Sequence, residues 1–279
     1  MANSIYYVDG NGSSHTLYVA GTTTDKLMLP DGEKGWGWPP RKNFIEKVPS
    51  RHSDRYRASV YDPRIYEVRF ILIASSASGL ETLKGQWEDW HSAEAGEGYV
   101  KRITHGGTTR CLDCIPRAPE WGKEKGFTVE VTQRYEAAFP WWRSESQTTA
   151  SDYFSGSTPV NISCTNSGDI ASWPVITITI ESGSGQTIDT PKIQNSDGDY
   201  IEVQKSMSGD GDQIIIDMRP GVKTVKYYAG GTGSGDPCVI SSSSKFWRLP
   251  TGTTNVTISA TSGDAKCEVA WYHYYGSLY

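Results

Sequence analysis

The chain has 279 residues, of which 37% are hydrophobic and 21% charged, and it is rich in glycine, tyrosine and tryptophan. This length exceeds the usual size of one hydrophobic core, so we expect two domains, and the composition is typical of β-rich domains with many turns. The formal net charge is −5: residues 1–146 contain 19 basic and 19 acidic residues, and the remaining residues contain 8 basic and 13 acidic residues. This distribution excludes the large basic surface that binding to duplex DNA needs.

The first residues, MANSIYYVDGNGSS, contain neither a charged leader nor an apolar core. No stretch of the sequence approaches the ~18 consecutive apolar residues of a membrane-spanning helix. We therefore expect no signal peptide and no membrane span, and we expect synthesis in a cytoplasm. The odd number of cysteines, five, favours reduced and mostly buried thiols over a disulfide framework.

Two tryptophans, Trp36 and Trp38, lie in the segment GEKGWGWPPRK, where flexible glycines precede an extended Pro-Pro pair. Such a segment cannot build a core of its own. It is either an arm that docks on a neighbouring surface or a loop folded back on its own domain, and both interpretations stay open. If it is an arm, its contact residues are predicted to be Trp36, Trp38, Arg41 and Lys42.

One helix is predicted in the first half, between strand patterns of period two at residues 66–72 and 127–131. Ser78 and Glu81 have the spacing of a capping box that would begin the helix, and the glycines within residues 96–98 are expected to end it. The apolar stripe of the helix consists of Leu80, Leu83, Trp87 and Trp90.

Cys111 and Cys114 form a Cys-x-x-Cys pair with His105 nearby, which are residue types found in half of a zinc site or in a redox dithiol. No second pair follows at the spacing of a zinc ribbon, and residues three apart on a strand point to opposite faces. A structural role for both cysteines is therefore favoured, and we expect no metal and no cofactor.

The composition changes near residue 147, where a Ser/Thr-rich bridge follows Trp141 and Trp142. We therefore predict domains at 1–146 and 147–279, with the two tryptophans packed at the junction. The second half contains strand-like runs separated by Asp/Gly-rich turns, which is typical of an antiparallel sandwich or jelly roll. Its alternating apolar pairs are Ile176/Ile178, Ile201/Val203, Ile214/Ile216, Val256/Ile258 and Val269/Trp271.

The turns of the second half contain two pairs of aspartates, Asp197/Asp199 and Asp210/Asp212, that resemble fragments of calcium loops. Neither pair has the alternating oxygen ligands and the closing glutamate of a complete loop. Hairpin turns explain both pairs more simply, because Asp-Gly tolerates the positive φ that such turns need.

Aromatic residues line the last strand pattern, at residues 271–275. Trp271 and Tyr274 could form a sugar-stacking platform, although ordinary sandwich core is the more probable role of these rings. The sequence contains no Gly-x-Ser-x-Gly elbow, Walker loop or His-Glu-x-x-His motif, so no catalytic residue is predicted and the chain is not expected to be an enzyme. A pair of glycosidase carboxylates assembled in space remains a further alternative.

Together these features resemble the distal tail (Dit) proteins of siphophages, over most of residues 40–279. Residues 139–142, Phe-Pro-Trp-Trp, match the family's Pro-plus-aromatic segment at the domain junction. The resemblance implies a mainly β fold, with an N-terminal barrel- or sandwich-like ring domain that has one helix and an extended arm, and a C-terminal galectin-like β-sandwich. Near the C-terminus the matching residues are Trp247, Leu249, Pro250, Gly252, Asn255, Val256, Ile258 and Trp271.

By this resemblance the chain is expected to be a structural virion protein, a hexameric hub at the distal end of a phage tail. Its partners would be copies of itself, the tail tube protein, the tape-measure protein and a tail-tip protein. A closed ring needs two different complementary patches on each subunit, and a domain with a projecting arm can supply them. The alternative is a carbohydrate-binding module that contacts glycans on the host surface.

Overall fold

The structure, a computed structural model, describes residues 3–21, 24–46, 55–92, 94, 96–155, 158–181 and 187–278. The chain divides into two compact units, Met1–Glu145 with Tyr275–Tyr279, and Ser146–Tyr274. The last five residues thus group with the first unit, although the sequence pattern placed them in the second domain. The domain ranges 1–146 and 147–279 stay a prediction.

The first unit consists mainly of strands around one helix, α1 (Ala77–Trp90). Its main sheet has the antiparallel order β2-β1-β7-β8-β10-β6-β3, with β9 added to β10 and β11 to β8, and β4 and β5 form a separate hairpin. The strands are β1 (Ser4–Val8), β2 (Ser14–Val19), β3 (Lys26–Lys34), β4 (Arg41–Glu46), β5 (Arg55–Tyr61), β6 (Arg64–Ile73), β7 (Gly98–Ile103), β8 (Thr109–Pro116), β9 (Glu120–Lys125), β10 (Thr128–Ala137) and β11 (Trp142–Arg143).

The predicted strand at residues 66–72 lies within β6, and its apolar side chains are buried on one face. β10 pairs with β6 over its whole length, and Val129 and Val131 are buried in the same core. Phe127 departs from the expected alternation because it stands in the turn just before β10 and is half exposed.

Helix α1 packs its predicted apolar stripe on this core: Leu80 and Trp87 are buried, and Leu83 and Trp90 are partly buried against it. The predicted capping box is wrong. Ser76 is the N-cap, and its Oγ accepts a hydrogen bond from the Gly79 amide at 3.1 Å, so Ser78 lies inside the first turn.

The predicted end of the helix is also wrong, because α1 stops at Trp90, well before Gly96. The C-cap residue is His91, whose buried ring lies 2.7 Å from the Trp87 carbonyl and 2.8 Å from the Tyr135 hydroxyl. These two contacts fix the side chain in the core, so the chain leaves the helix here without a glycine.

The second unit is an antiparallel sandwich, and the mainly β fold expected from the sequence is confirmed. One sheet has the order β12-β21-β14-β17-β18-β19 and the other the order β13-β20-β15-β16. The strands are β12 (Thr148–Ser155), β13 (Val160–Asn166), β14 (Val175–Thr179), β15 (Lys192–Gln194), β16 (Tyr200–Glu202), β17 (Gln213–Asp217), β18 (Thr224–Tyr228), β19 (Asp236–Pro237), β20 (Gly252–Ser259) and β21 (Asp264–Trp271). The strand that follows, β22 (Tyr274–Tyr275), belongs to the main sheet of the first unit.

The inward faces of these two sheets form one hydrophobic core, to which all five predicted apolar pairs contribute. Trp247 and Leu249 join the same core from the loop before β20. Because every second residue of each strand points inward, the remaining residues form two outer faces. Among the described residues, no helix of either unit is long and apolar enough to cross a membrane.

The aspartate pairs lie in turns that are stabilised by protein groups. Asp197 and Asp199 belong to the β15–β16 hairpin turn, where both amides donate to Oδ1 of Asn195 and Gly198 has a φ of 89°. Asp212 accepts hydrogen bonds from the Gly209 and Gly230 amides. The hydrogen bonds to Asn195, together with the positive φ of Gly198, are those of a hairpin turn. No group of three metal-ligating side chains occurs in the described ranges.

Candidate protein-interaction site

A buried arginine, Arg64, holds the GEKGWGWPPRK segment in place. Its Nη1 donates to the carbonyls of Gly35 and Gly37, both at 2.6 Å. Its Nε donates to the Pro140 carbonyl at 2.7 Å, and its Nη2 donates to the Gly276 carbonyl at 2.9 Å. One planar guanidinium therefore ties three separate parts of the first unit together.

The charge of Arg64 is stabilised although its side chain is only 1% exposed. Burial lowers the pKa of Arg64 to about 10, which still leaves the guanidinium protonated at neutral pH. Four carbonyl dipoles surround the charge, and the guanidinium lies 5.6 Å from the ring centre of Trp142. The sequence gives no signal for this role, because an arginine at the start of a strand is usually a solvated charge.

Three aromatic rings, Trp38, Tyr61 and Trp141, form a cluster that we call the aromatic patch. Tyr61 meets Trp141 edge-to-face at 4.7 Å, and Trp38 meets Trp141 edge-to-face at 5.9 Å. Trp141 is almost buried, whereas Trp38 is 56% exposed. The ring of Trp38 also lies directly on the backbone of Gly276, where a Cβ would come within 2.5 Å of it.

The predicted contact residues lie at or beside this patch. Trp36, two residues before Trp38, is 46% exposed, and its carbonyl accepts a hydrogen bond from the Leu278 amide at 3.1 Å. Arg41 pairs with Tyr61 across the β4–β5 hairpin, so it lies on the same side of the hairpin as the patch. Lys42 pairs with the half-exposed Val60 and lies on the opposite side.

Of the two interpretations of the Trp36–Trp38 segment, the backbone agrees with a loop folded back on its own domain, and docking on a neighbouring surface stays a prediction. Its backbone is folded back on its own unit, since Arg64 binds the carbonyls on either side of Trp36. The two indole rings are nevertheless about half exposed. Large aromatic rings next to an arginine, rigidly held and accessible, are typical of the residues that contribute most to protein–protein affinity.

The rings predicted for sugar stacking are not on the surface. Trp271 is 2% exposed and belongs to the core of the sandwich, and Tyr274 is 5% exposed with its ring edge-on to Trp173 at 5.5 Å. A stacked sugar needs an open ring face, so burial of both rings counts against a platform at these positions and favours the core role.

The two cysteines of the Cys-x-x-Cys pair are buried in β8. Burial raises the pKa of the Cys111 thiol to about 12 and raises the pKa of the Cys114 thiol further. Both are therefore protonated at neutral pH, and a protonated thiol is a poor nucleophile and a poor metal ligand. This chemistry agrees with the structural role favoured by their spacing.

The family model described as "Siphovirus-type tail component, C-terminal domain" (SPP1_Dit) matches residues 167–275. No curated protein matches the chain. Among solved structures, the Dit protein (gp 19.1) of phage SPP1, described as a paradigm of the hub adsorption apparatus in phages that infect Gram-positive bacteria, is similar with a TM-score of 0.66 at 13% identity. The match covers 96% of this chain and 98% of that one.

Two further similar structures are chains of the phage P2 baseplate in its activated conformation. The calcium form gives a TM-score of 0.52 at 9% identity, and the strontium form gives 0.53 at 10% identity. Each match covers 96% of this chain and 98% of the other. The matched proteins are structural components of phage tails and baseplates and not enzymes.

Proposed function

We propose that this chain is a member of the siphovirus-type tail component family and forms a hexameric ring at the distal end of a phage tail. The family model matches its C-terminal part, residues 167–275, and its fold is similar to that of a phage tail hub protein along nearly its whole length. In that position the ring joins the tail tube to the tail tip or baseplate. The single observation that carries the proposal is the match to a tail hub protein over 96% of this chain and 98% of that protein.

The aromatic patch supplies one of the two complementary surfaces that a closed ring requires. Head-to-tail contacts use a different patch on each side of the subunit, and rings close when the rotation between neighbours returns to the start. Trp36, Trp38 and Arg41 offer exposed apolar area and a positive charge on a backbone fixed by Arg64. Because this backbone is already ordered, little conformational entropy is lost when the patch is covered.

The partners follow from the same position in the tail. The upper face of the ring contacts the tail tube protein, the lower face contacts a tail-tip protein, and the central channel accommodates the tape-measure protein and the genome. The chain's role is thus mechanical connection without turnover of a substrate.

We expect purified protein to form a particle of about six chains, which light scattering coupled to size exclusion measures and negative-stain imaging displays. The double variant Trp36→Ala/Trp38→Ala should shift the particle toward monomer, because it removes the exposed rings of the contact surface. Since the Trp38 ring also packs on Trp141 and on the Gly276 backbone, we expect a lower melting temperature as well, and circular dichroism checks that the variant is folded at the temperature of the measurement.

The matched control for this variant is Tyr153→Ala, which removes a similarly exposed aromatic side chain from the second unit and should leave the hexameric particle intact. Wild-type protein that stays monomeric at every concentration, and in tails reconstituted with the tube protein, would contradict the proposal. A double variant that still forms the ring would show that the patch has another partner.

A further inference from the structure

The outer face of the six-stranded sheet in the second unit presents a row of polar side chains that the proposed ring does not use. Residues that are paired across neighbouring strands project from the same face of a sheet. The paired residues, from β12 to β18, are Tyr153, Lys266, Thr179, Gln213 and Tyr228. The next row on the same face is Ser151, Glu268, Thr177, Ile215 and Lys226.

A groove of about 290 Å³ lies on this face, just below the range of about 300–1,000 Å³ for small-molecule sites. Thr177, Gln213, Lys266 and Glu268 line it, and within the described part of the chain their side chains make no hydrogen bonds to protein groups. A groove whose donors and acceptors are left to solvent is suited to a ligand that carries many hydroxyl groups.

One end of the groove carries an accessible aromatic ring. Tyr153 is 58% exposed, and its hydroxyl donates to Oε1 of Glu181, a groove-lining residue, at 2.8 Å. This hydrogen bond restrains the ring while leaving it open to solvent. A restrained and open ring is the platform on which the apolar face of a sugar can stack, and it meets the requirement that the buried Trp271 does not.

The charges around the groove cancel. Glu181 and Glu268 contribute two negative charges, and Lys266 with Lys226 of the adjoining row contributes two positive charges. A polyanion such as a phosphate-rich polymer needs an excess of positive charge, which this face lacks. A protein partner would need an apolar centre, whereas the two tyrosines lie at the opposite ends of the first row and Ile215 is the one aliphatic residue in the two rows.

We propose that this groove binds a neutral glycan, with one sugar ring stacked on Tyr153 and the sugar hydroxyls bound by Gln213, Lys266 and Glu268. The carboxylate accepts hydrogen bonds from hydroxyl groups, the ammonium donates them, and the amide does both. The site lies within the second unit and is separate from the aromatic patch, so the inference goes beyond the proposed ring and does not depend on it.

The test uses the full chain on an array of neutral microbial polysaccharide fragments, followed by calorimetry with the strongest binder and with poly(glycerol phosphate) as the anionic comparison. We expect binding to a neutral fragment, and at least about tenfold weaker binding by Tyr153→Ala. Thr177→Val, which keeps the shape of a groove-lining side chain and removes its hydroxyl, should also weaken binding. Tyr200→Ala, on the four-stranded sheet, is the matched control and should bind as the wild type does.

Light scattering and thermal melts on the same samples separate this proposal from the ring. Tyr153→Ala should keep the particle size and melting temperature of the wild type while losing glycan affinity. The inference is overturned by the absence of binding to every neutral fragment, by tighter binding to poly(glycerol phosphate), or by unchanged affinity in both groove variants. Wild-type protein that forms no ring but still binds a neutral fragment would contradict the proposed hub and would leave the proposed glycan groove supported.

Discussion

At the residue scale, the buried Arg64 fixes the backbone that carries the exposed rings of Trp36 and Trp38. Arg64→Lys should lower the free energy of unfolding of the first unit by about 3 kcal/mol, because one ammonium cannot bind four carbonyls in three segments, and the Pro140 and Gly276 carbonyls accept their hydrogen bonds in the interior. Urea titration followed by tryptophan fluorescence measures this change. The control Arg117→Lys alters an exposed pair with Glu136 and should change the free energy by about 0.5 kcal/mol or less.

His91 gives the first unit a dependence on pH. The Trp87 carbonyl can only accept, so Nδ1 carries the proton and Nε2 accepts from the Tyr135 hydroxyl. Burial lowers the pKa of His91 to about 4, below its usual value of 6.5. Between these two pH values the folded state therefore binds fewer protons than the unfolded state. The contribution of the neutral His91 to stability is fully present above pH 6.5 and is lost as the pH falls toward 4.

The expected slope from His91 is up to about 1.4 kcal/mol per pH unit in this window. Melting temperatures recorded from pH 7 to 4.5 should fall less steeply for His91→Gln than for the wild type. The difference between the two curves isolates the contribution of His91 from that of the other titrating groups. Parallel curves would show that the buried imidazole is not the group responsible.

At the scale of elements, the helix start depends on Ser76. Ser76→Ala should destabilise the first unit by about 1 kcal/mol, because the Gly79 amide loses its acceptor. Ser78→Ala is the matched control, since its side chain caps no amide, and it should cost less than half as much. Chemical denaturation of the two variants decides between the observed cap and the capping box that the sequence suggested.

The elements that the sequence predicts are those with a local signal. Alternation identified β6, β14 and β17, and the spacing of four apolar residues identified α1, because burial of one face imposes these periods. The cap was missed because Ser76 has a glycine and not a glutamate three residues later, so the spacing pointed to Ser78. Phe127 was misplaced because the preceding Gly126, with a φ of 63°, makes a turn there.

The candidate sites were less predictable because they depend on contacts between distant segments. Trp36 and Trp38 could be recognised from an unusual local composition, but Tyr61 and the anchoring Arg64 could not. The groove consists of alternate polar residues on strands up to about a hundred residues apart in sequence. In the sequence of each single strand, these residues cannot be told from those of any solvent-exposed strand face. Only the register between strands brings Tyr153 and Lys266 side by side.

At the scale of the whole molecule, the two proposed sites have complementary consequences. The proposed ring of six chains would carry six copies of the proposed glycan groove, so weak binding at each groove would sum to firm attachment when several are occupied together. A subunit that fails to assemble would keep the intrinsic affinity of one groove and lose this gain. In the proposed assembly, substitutions in the aromatic patch would therefore weaken attachment to a glycan-coated surface without altering the groove itself.

The return of the chain's end to the first unit bears on how the protein is made. Leu278 is buried in the core of that unit, and the Gly276 carbonyl is one of the four acceptors of Arg64. During translation, the residues of the sandwich are therefore synthesised before the C-terminal residues that complete the core of the first unit. The Arg64 guanidinium thus gains its fourth carbonyl acceptor, that of Gly276, only after residues 146–274 have been synthesised.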